Sequence, residues 1–322
     1  MPRKTALRSV TSVLLLAVLL GCATTPAPPS EGHVTTDDGV RLWYRSFGAG
    51  DETVLVPLVT WNQRAFEAAA RSHRFIFYDP RSRGRSDASE TLGLERDLAD
   101  LDAVRRHFGL QRVHLIGTSY YGALVALYAA RHPEAVDRVV MVGPLPPRAA
   151  LMASFNPPEK AGRISPEDRA RVERIAAGGG ADPVADCEAY WKIHSAEIVG
   201  SPEAANNVEI RCDAPNEYPW RFLAWAGKMF TSTGGWDWRE QARSLRRPVL
   251  VIQGGKDLIV PVEGAREWAG NFPEGRLWML PEAGHVPWFE VPDLLLPNIL
   301  GFFDGRWPDE ATKVTNEALQ RP

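Results

Sequence analysis

The chain of 322 residues is poor in most features that would narrow its class at once. Cysteine occurs three times, too seldom for the disulfide frameworks that hold small secreted domains together. Neither charge sign dominates: 37 Lys and Arg stand against 40 Asp and Glu, a formal net charge of −3. Without a basic excess or a long run of one sign, nucleic acid is excluded as a partner. No apolar stretch reaches the roughly 20 residues that cross a bilayer as a helix, and no internal repeat marks a solenoid. What is abundant is hydrophobic residues, 44% of the chain. At this length that suits one large α/β domain, with or without an insertion, burying roughly 75% of the unfolded surface and needing no staples.

The N-terminus carries an address. Arg3, Lys4 and Arg8 precede an apolar stretch at 13–20 that ends at Gly21 and Cys22, the order of a secretory signal peptide spanning residues 1–21. Leu19-Leu20-Gly21-Cys22 resembles the lipobox of bacterial lipoproteins. The resemblance implies that the Cys22 sulfur receives a diacylglycerol and becomes the new N-terminus, anchoring the protein to a membrane by its lipid. An ordinary secretory signal followed by a chance cysteine is the alternative. Ala23 and Thr24, with no Asp at the second position, resemble the pattern of outer-membrane sorting, which implies the periplasmic face of a bacterial envelope. Residues 22–32, with three prolines, read as an extended tether. Losing the three basic residues with the leader takes the net charge from −3 to −6, a mildly acidic body. In an oxidising compartment Cys187 and Cys212 would pair; two buried free thiols are the alternative.

Beyond residue 33 a regular grammar appears. A strand at 33–36, a turn at Asp37-Asp38-Gly39 and a strand at 40–47 form a predicted hairpin. Short, continuously apolar segments at 53–59, 74–78, 113–117, 138–142, 249–253 and 276–280 then alternate with amphipathic segments at 64–71, 94–108, 122–131, 262–271 and 294–303. Continuous apolarity predicts strands covered on both faces, hence a mostly parallel, eight-stranded sheet between helices. The rhythm breaks at 146–245, rich in Pro and Trp, which reads as an inserted helical cap between core segments 33–145 and 246–305. Residues 306–322 read as a polar tail.

Val113 through Gly117 run into Thr118-Ser119-Tyr120-Tyr121-Gly122, an apolar strand entering a sharp turn and then a helix. A Gly-x-Ser in that setting forms a nucleophile elbow, with the serine hydroxyl exposed at the strand end and a helix N-terminus behind it. With this motif, Asp79-Pro80-Arg81-Ser82-Arg83-Gly84-Arg85-Ser86, and the late Gly254-Gly255-Lys256-Asp257 and Gly284-His285, nearly the whole chain beyond residue 33 resembles the α/β-hydrolase superfamily. The resemblance implies a triad in the order Ser119, Asp257, His285. His285 would take the Ser119 proton as the hydroxyl attacks a carbonyl, while Asp257 fixes the imidazole tautomer. His33, His73, His107, His114, His132 and His194 lack the post-strand Gly-His setting and read as structural or surface residues. The reaction so read is acyl-enzyme hydrolysis of a carboxylic ester without metal or organic cofactor.

Two departures from the family pattern stand out. Where the oxyanion segment usually shows His-Gly, this chain has Pro57-Leu58-Val59-Thr60-Trp61. Tyr120 N–H and Val59 N–H, or Leu58 in its place, are the expected oxyanion donors; Pro57 has no N–H to give. Where the elbow usually has Gly, Tyr121 stands, and it must point away or push the turn open. Tyr121, Trp61 and Trp288 are candidate pocket residues. Trp191, Trp220, Trp225, Phe230, Trp236 and Trp238 gather in the cap, as cap core or as pocket lining. Asp186, Glu188, Asp213 and Glu217 faintly resemble the cap of proline-iminopeptidase-like hydrolases, where acids hold a free amine. An aminopeptidase is therefore one rival to the esterase, and a degenerate hydrolase fold used only for binding is another. An Asp in place of Ser119 would point to dehalogenase or epoxide hydrolase chemistry, which Ser119 argues against.

Overall fold

The computed structural model describes residues 27–58, 66–67, 70 and 72–315, with only the backbone of 27–29 and 231–233. Cys22, Val59, Trp61 and most of the helix expected at 64–71 lie outside the described residues.

Eight strands form one sheet: β1 (Ala27–Thr35), β2 (Arg41–Gly48), β3 (Thr53–Pro57), β4 (Arg74–Tyr78), β5 (Val113–Thr118), β6 (Val136–Val142), β7 (Val249–Gly254) and β8 (Gly275–Leu280). Their order is β1-β2-β4-β3-β5-β6-β7-β8; the β1–β2 and β2–β4 pairs are antiparallel and the others parallel. The sheet is therefore the mostly parallel one expected. The hairpin turn closes as expected, with Gly39 at φ +84° and Gly39 N–H bonded to the Thr36 carbonyl at 3.1 Å.

Continuous apolarity in the strands has the expected cause. Along β3, Val54 and Val56 enter one apolar layer while Leu55 enters the other, and Phe75 and Phe77 of β4 separate from Ile76 and Tyr78 in the same way. Both faces of the sheet are thus dry, as the side-chain period of two requires when helices cover each side. The core helices are α1 (Leu94–His107), α2 (Tyr120–Arg131), α8 (Val262–Asn271), α9 (Pro287–Glu290) and α10 (Pro292–Phe303).

Between β6 and β7 the insertion holds α3 (Ala149–Ala153), α4 (Pro166–Ala176), α5 (Pro183–Ile198), α6 (Pro219–Thr233) and α7 (Arg239–Ser244). Its two ends are stitched together: Ala149 N–H bonds the Trp236 carbonyl at 3.0 Å and Trp238 N–H the Pro147 carbonyl at 2.7 Å. Inside the cap a small apolar cluster forms around Ile175, Tyr190, Trp191 and the Cys187–Cys212 disulfide, whose Cα atoms are 5.8 Å apart. The pairing expected of these two cysteines is therefore present, not two free thiols.

Residues 27–32 and 306–315 are more structured than the sequence suggests. β1 begins at Ala27, so residues 27–32, read as tether, pair with β2 through an irregularity between Ala27 and Ser30. Prolines are tolerated there because β1 is an edge strand, where a missing N–H breaks no interior ladder. At the other edge, residues read as a polar tail cover β8. Thr312 exchanges two backbone hydrogen bonds with Leu277, at 2.8 and 2.9 Å. Ala311 is buried, and Trp307 packs on Phe302 under the Arg276 guanidinium. An uncovered edge strand presents unpaired N–H and C=O groups, which these residues satisfy.

Candidate active site

Ser119 sits between β5 and α2 at φ 55°, ψ −125°, a region that side-chain-bearing residues occupy only under constraint. The constraint is visible. Ser119 N–H bonds the Val142 carbonyl at 3.0 Å, and the Ser119 carbonyl accepts Gly122 N–H at 3.0 Å and Leu145 N–H at 2.9 Å. Strand and helix approach so closely that a Cβ on Gly117 would lie 2.1 Å from the Tyr121 carbonyl oxygen. Small size is thus demanded at Gly117. Tyr121 is accommodated because it presents its backbone to the strand and turns its ring elsewhere.

That ring is buried beside Tyr120 and Trp225, and its hydroxyl accepts a 3.3 Å hydrogen bond from Arg83 Nη1. Burial pushes the Tyr121 hydroxyl well above its usual pKa, so it stays protonated. The Tyr120 ring packs edge-on against the Tyr121 ring, its hydroxyl donating to Asp97 at 2.8 Å. Tyr120 N–H, first in α2, belongs to the N-terminal group of amides that have no partner within their own helix.

Asp257 and His285 lie on neighbouring loops. His285 Nδ1 is 2.8 Å from Asp257 Oδ2, and both side chains are buried. Asp257 is held by three further donors: Gln253 Nε2 at 2.9 Å on Oδ2, and Ile259 and Val260 N–H at 2.8 and 3.0 Å on Oδ1. Four donors around one carboxylate fix its direction. Gly143, at φ +50°, leaves room for this pair: a Cβ there would come 2.9 Å from His285 Nδ1. The cap supports His285 directly. Ile198 accepts the His285 N–H at 2.8 Å, and Glu290 ties cap to core by accepting from Gly200 and Gly284 N–H, both at 2.8 Å.

Ser119, Tyr120, Tyr121, His285 and Trp288 line one cavity of about 140 Å³. From the cap come Trp191, His194, Ile198, Phe222, Trp225 and Phe230. Of the expected aromatics, Trp191, Trp225 and Phe230 reach it. Trp236 and Trp238 instead stack on each other and toward Trp268, and Trp220 packs on Tyr218. Leu58, at φ 80°, also lines the cavity. Its N–H is bonded to the Tyr78 carbonyl at 2.7 Å, which removes Leu58 as an oxyanion donor and leaves Val59, outside the described residues, as the remaining candidate.

Arg83 and Glu217 escaped sequence reading as a pair. The Arg83 guanidinium meets Glu217 side-on, with Nε to Oε1 at 2.7 Å and Nη2 to Oε2 at 2.8 Å, and both are almost wholly buried. Gly84 N–H adds a 2.9 Å bond to the same carboxylate, and the guanidinium lies 4.4 Å over the Trp225 ring and 4.9 Å over Phe222. Burial alone would lower the Arg83 pKa; the Glu217 charge more than offsets it, and the net shift is upward. One signal was available, an arginine between Ser82 and Gly84 in the loop after β4, but its partner lies over 130 residues away.

The pair also settles where the cap acids go. Glu217 is committed to Arg83, Asp213 to Arg85 at 2.6 Å and to Arg211, and Asp186 to Gly180 N–H. Among the described residues, no Asp or Glu lines the cavity.

With this geometry in place, the chain can be set beside known proteins. Residues 57–292 match the model of the alpha/beta hydrolase fold family, and the chain belongs to that family. It is similar to a non-heme haloperoxidase of Rhodococcus erythropolis, 26% identical over 287 residues, covering 84% of this chain and 98% of the relative. It is also similar to a proline iminopeptidase of Lactobacillus delbrueckii subsp. bulgaricus, 24% identical, covering 70% of this chain and 78% of the relative. Among solved structures, an esterase from Rhodococcus sp. ECU1013 superposes with a TM-score of 0.63 at 25% identity, covering 85% of this chain and 98% of that one.

Two outcomes follow from the buried charges. Glu217→Gln, which strands the Arg83 charge, is expected to cost about 3–5 kcal/mol in urea unfolding. The double variant Arg83→Met with Glu217→Leu should cost much less. Burial raises the Asp97 pKa to about 7, against the Tyr120 bond that lowers it. The folded protein then holds a proton that the unfolded chain, with a pKa of about 3.9, releases. The resulting stability is complete below pH about 4 and is lost as pH rises through about 7, by up to about 1.4 kcal/mol per pH unit. Asp97→Asn should flatten that part of the stability profile, measured by urea unfolding at pH 5 and pH 8.

Proposed function

We propose that the protein is a serine hydrolase that cleaves a carboxylic ester through an acyl-enzyme, with Ser119 as nucleophile, His285 as general base and Asp257 as its orienting acid. The observation that carries this reading is the strained Ser119 backbone at the mouth of α2, in the same cavity as a His285 whose Nδ1 is bonded to Asp257. The Asp257 bond fixes the proton on Nδ1, leaving Nε2 to take the serine proton. Tyr120 N–H, with Val59 N–H, receives the developing oxyanion. The substrate presents apolar surface to Trp191, Phe222, Trp225 and Trp288, and it is small, in keeping with a cavity of about 140 Å³.

A second reading, removal of an N-terminal residue from a short peptide, has the similarity to proline iminopeptidases in its favour. It needs an acid to hold the substrate amine, and the cavity lining offers none among the described residues. A third, a hydrolase fold kept only for binding, is motivated by Leu58 and Tyr121, the two departures from the family pattern.

A fluorophosphonate probe is expected to label the full-length protein and not Ser119→Ala. Equal labelling of both, or labelling of neither, overturns the reading. Asp257→Asn should keep the label site and lose about 10⁴-fold in turnover. Faster hydrolysis of p-nitrophenyl esters than of prolyl arylamides separates esterase from aminopeptidase.

We further infer that Cys22 carries the lipid that holds the enzyme at the periplasmic face of a bacterial outer membrane, through the short segment before β1. Cys22→Ser should move the protein from the membrane to the soluble fraction and change its size on gels. A variant that stays in the membrane at unchanged size would sink the lipid anchor and leave the hydrolase reading untouched.

A further inference from the structure

A second cluster of reactive side chains lies at the far end of the sheet. Glu52 immediately precedes β3, His73 immediately precedes β4, His114 is the second residue of β5, and Asp304 follows the last residue of α10. Because β3, β4 and β5 run parallel and Ser119 follows the end of β5, His114 lies five steps along the strand from the serine, roughly 16 Å.

His114 Nε2 makes a 3.2 Å hydrogen bond to Glu52 Oε2, while His73 Nε2 stands 3.5 Å from the same oxygen and 3.7 Å from Asp304 Oδ1. One donor atom from each of Glu52, His73 and His114 lies within 4.8 Å of the other two. His73 Nε2 is buried and faces two carboxylates, yet it makes no hydrogen bond. Ligands held about 2.0–2.2 Å from a tetrahedral zinc ion stand about 3.3–3.5 Å from one another. A proton between His73 and either carboxylate would draw the pair to about 2.7–2.9 Å, so the wider gaps fit a larger cation.

Both rings are held in place. The His73 ring is oriented through Nδ1, 3.0 Å from Ser72 Oγ, the outer support typical of metal-bound histidine. The His114 ring is stacked on Phe303 at 4.6 Å. Arg306 holds Asp304 Oδ2 at 2.9 Å, leaving Oδ1 for the cluster. Both imidazoles are buried while the Glu52 and Asp304 side chains are 57% and 40% exposed, so an ion can arrive from solvent without unfolding.

We propose that Glu52, His73 and His114, with Asp304 as fourth donor, bind one divalent transition-metal ion, zinc foremost. Two imidazole nitrogens and two carboxylate oxygens suit zinc, whereas calcium and magnesium take oxygen alone. The ion ties the starts of three adjacent strands to the end of α10 and takes no part in the chemistry at Ser119.

The test uses untagged full-length protein freed of metal by a chelator. Titration with zinc chloride, followed calorimetrically, is expected to show one saturable equivalent, and cobalt(II) is expected to develop the visible absorption of a tetrahedral site. Glu52→Gln, a change at an exposed side chain, should weaken zinc at least about tenfold with circular dichroism and ester turnover unchanged; His114→Gln should do the same to binding. Absence of stoichiometric binding in the full chain, or binding of equal strength in both variants, overturns the proposal. Should His114→Gln fail to fold, the Glu52→Gln titration alone decides.

Discussion

A guanidinium and a carboxylate held out of water join the two halves of this molecule. Arg83 comes from the loop after β4 and Glu217 from the cap, and the two are buried together. Neither could sit there alone, because removing an isolated charge from water costs several kcal/mol even after relaxation. The core therefore needs the cap and the cap needs the core. Their bidentate geometry also fixes how the two meet, since a guanidinium fork satisfies a carboxylate in few orientations. Trp225 and Phe222, stacked on the same guanidinium, become cavity walls as a by-product of that docking.

The pair accounts for the Tyr121 departure as well. An elbow built on glycine at that position has nothing to anchor; here a tyrosine reaches from the turn to Arg83 and is packed by Trp225. The turn is not forced open, because closeness is required at Gly117 and Gly122, where added Cβ atoms would meet backbone and Pro144. The residue that looked like a threat to the serine's geometry instead couples that turn to the cap.

What could be read from the chain were features carried by local pattern. Strands β3 to β8 announce themselves as short apolar runs, and the elbow as an apolar strand entering Gly117-Thr118-Ser119. The Cys187–Cys212 pairing was the expectation that the cysteine count and the leader-like N-terminus raised, and the disulfide is present. Asp257 and His285 came through resemblance, and the structure places them in hydrogen-bond contact. Partnerships over long separations were not legible: Arg83 with Glu217, the Ile198 carbonyl beneath His285, Thr312 beside Leu277. The assignment of Leu58 as a possible donor failed for the same reason, since only the neighbouring strand shows its N–H already taken by Tyr78. Prolines at 28 and 29 disguised an edge strand as a tether because sequence pattern does not say which strand is outermost.

The attachment of His285 to the cap has a kinetic consequence. His285 hangs by its N–H from Ile198, Gly284 packs so tightly on Val199 that a Cβ would come within 2.4 Å, and Glu290 clasps both sides. A cap that swung away as a lid would carry His285 with it and part it from Asp257. The way into the cavity under a fixed cap is then opened by rotation of side chains at the rim, where Phe230 is 44% exposed, on the nanosecond scale of rotamer exchange rather than the slower scale of domain motion. Selection by size is thereby built into the passage itself, before any contact with Ser119.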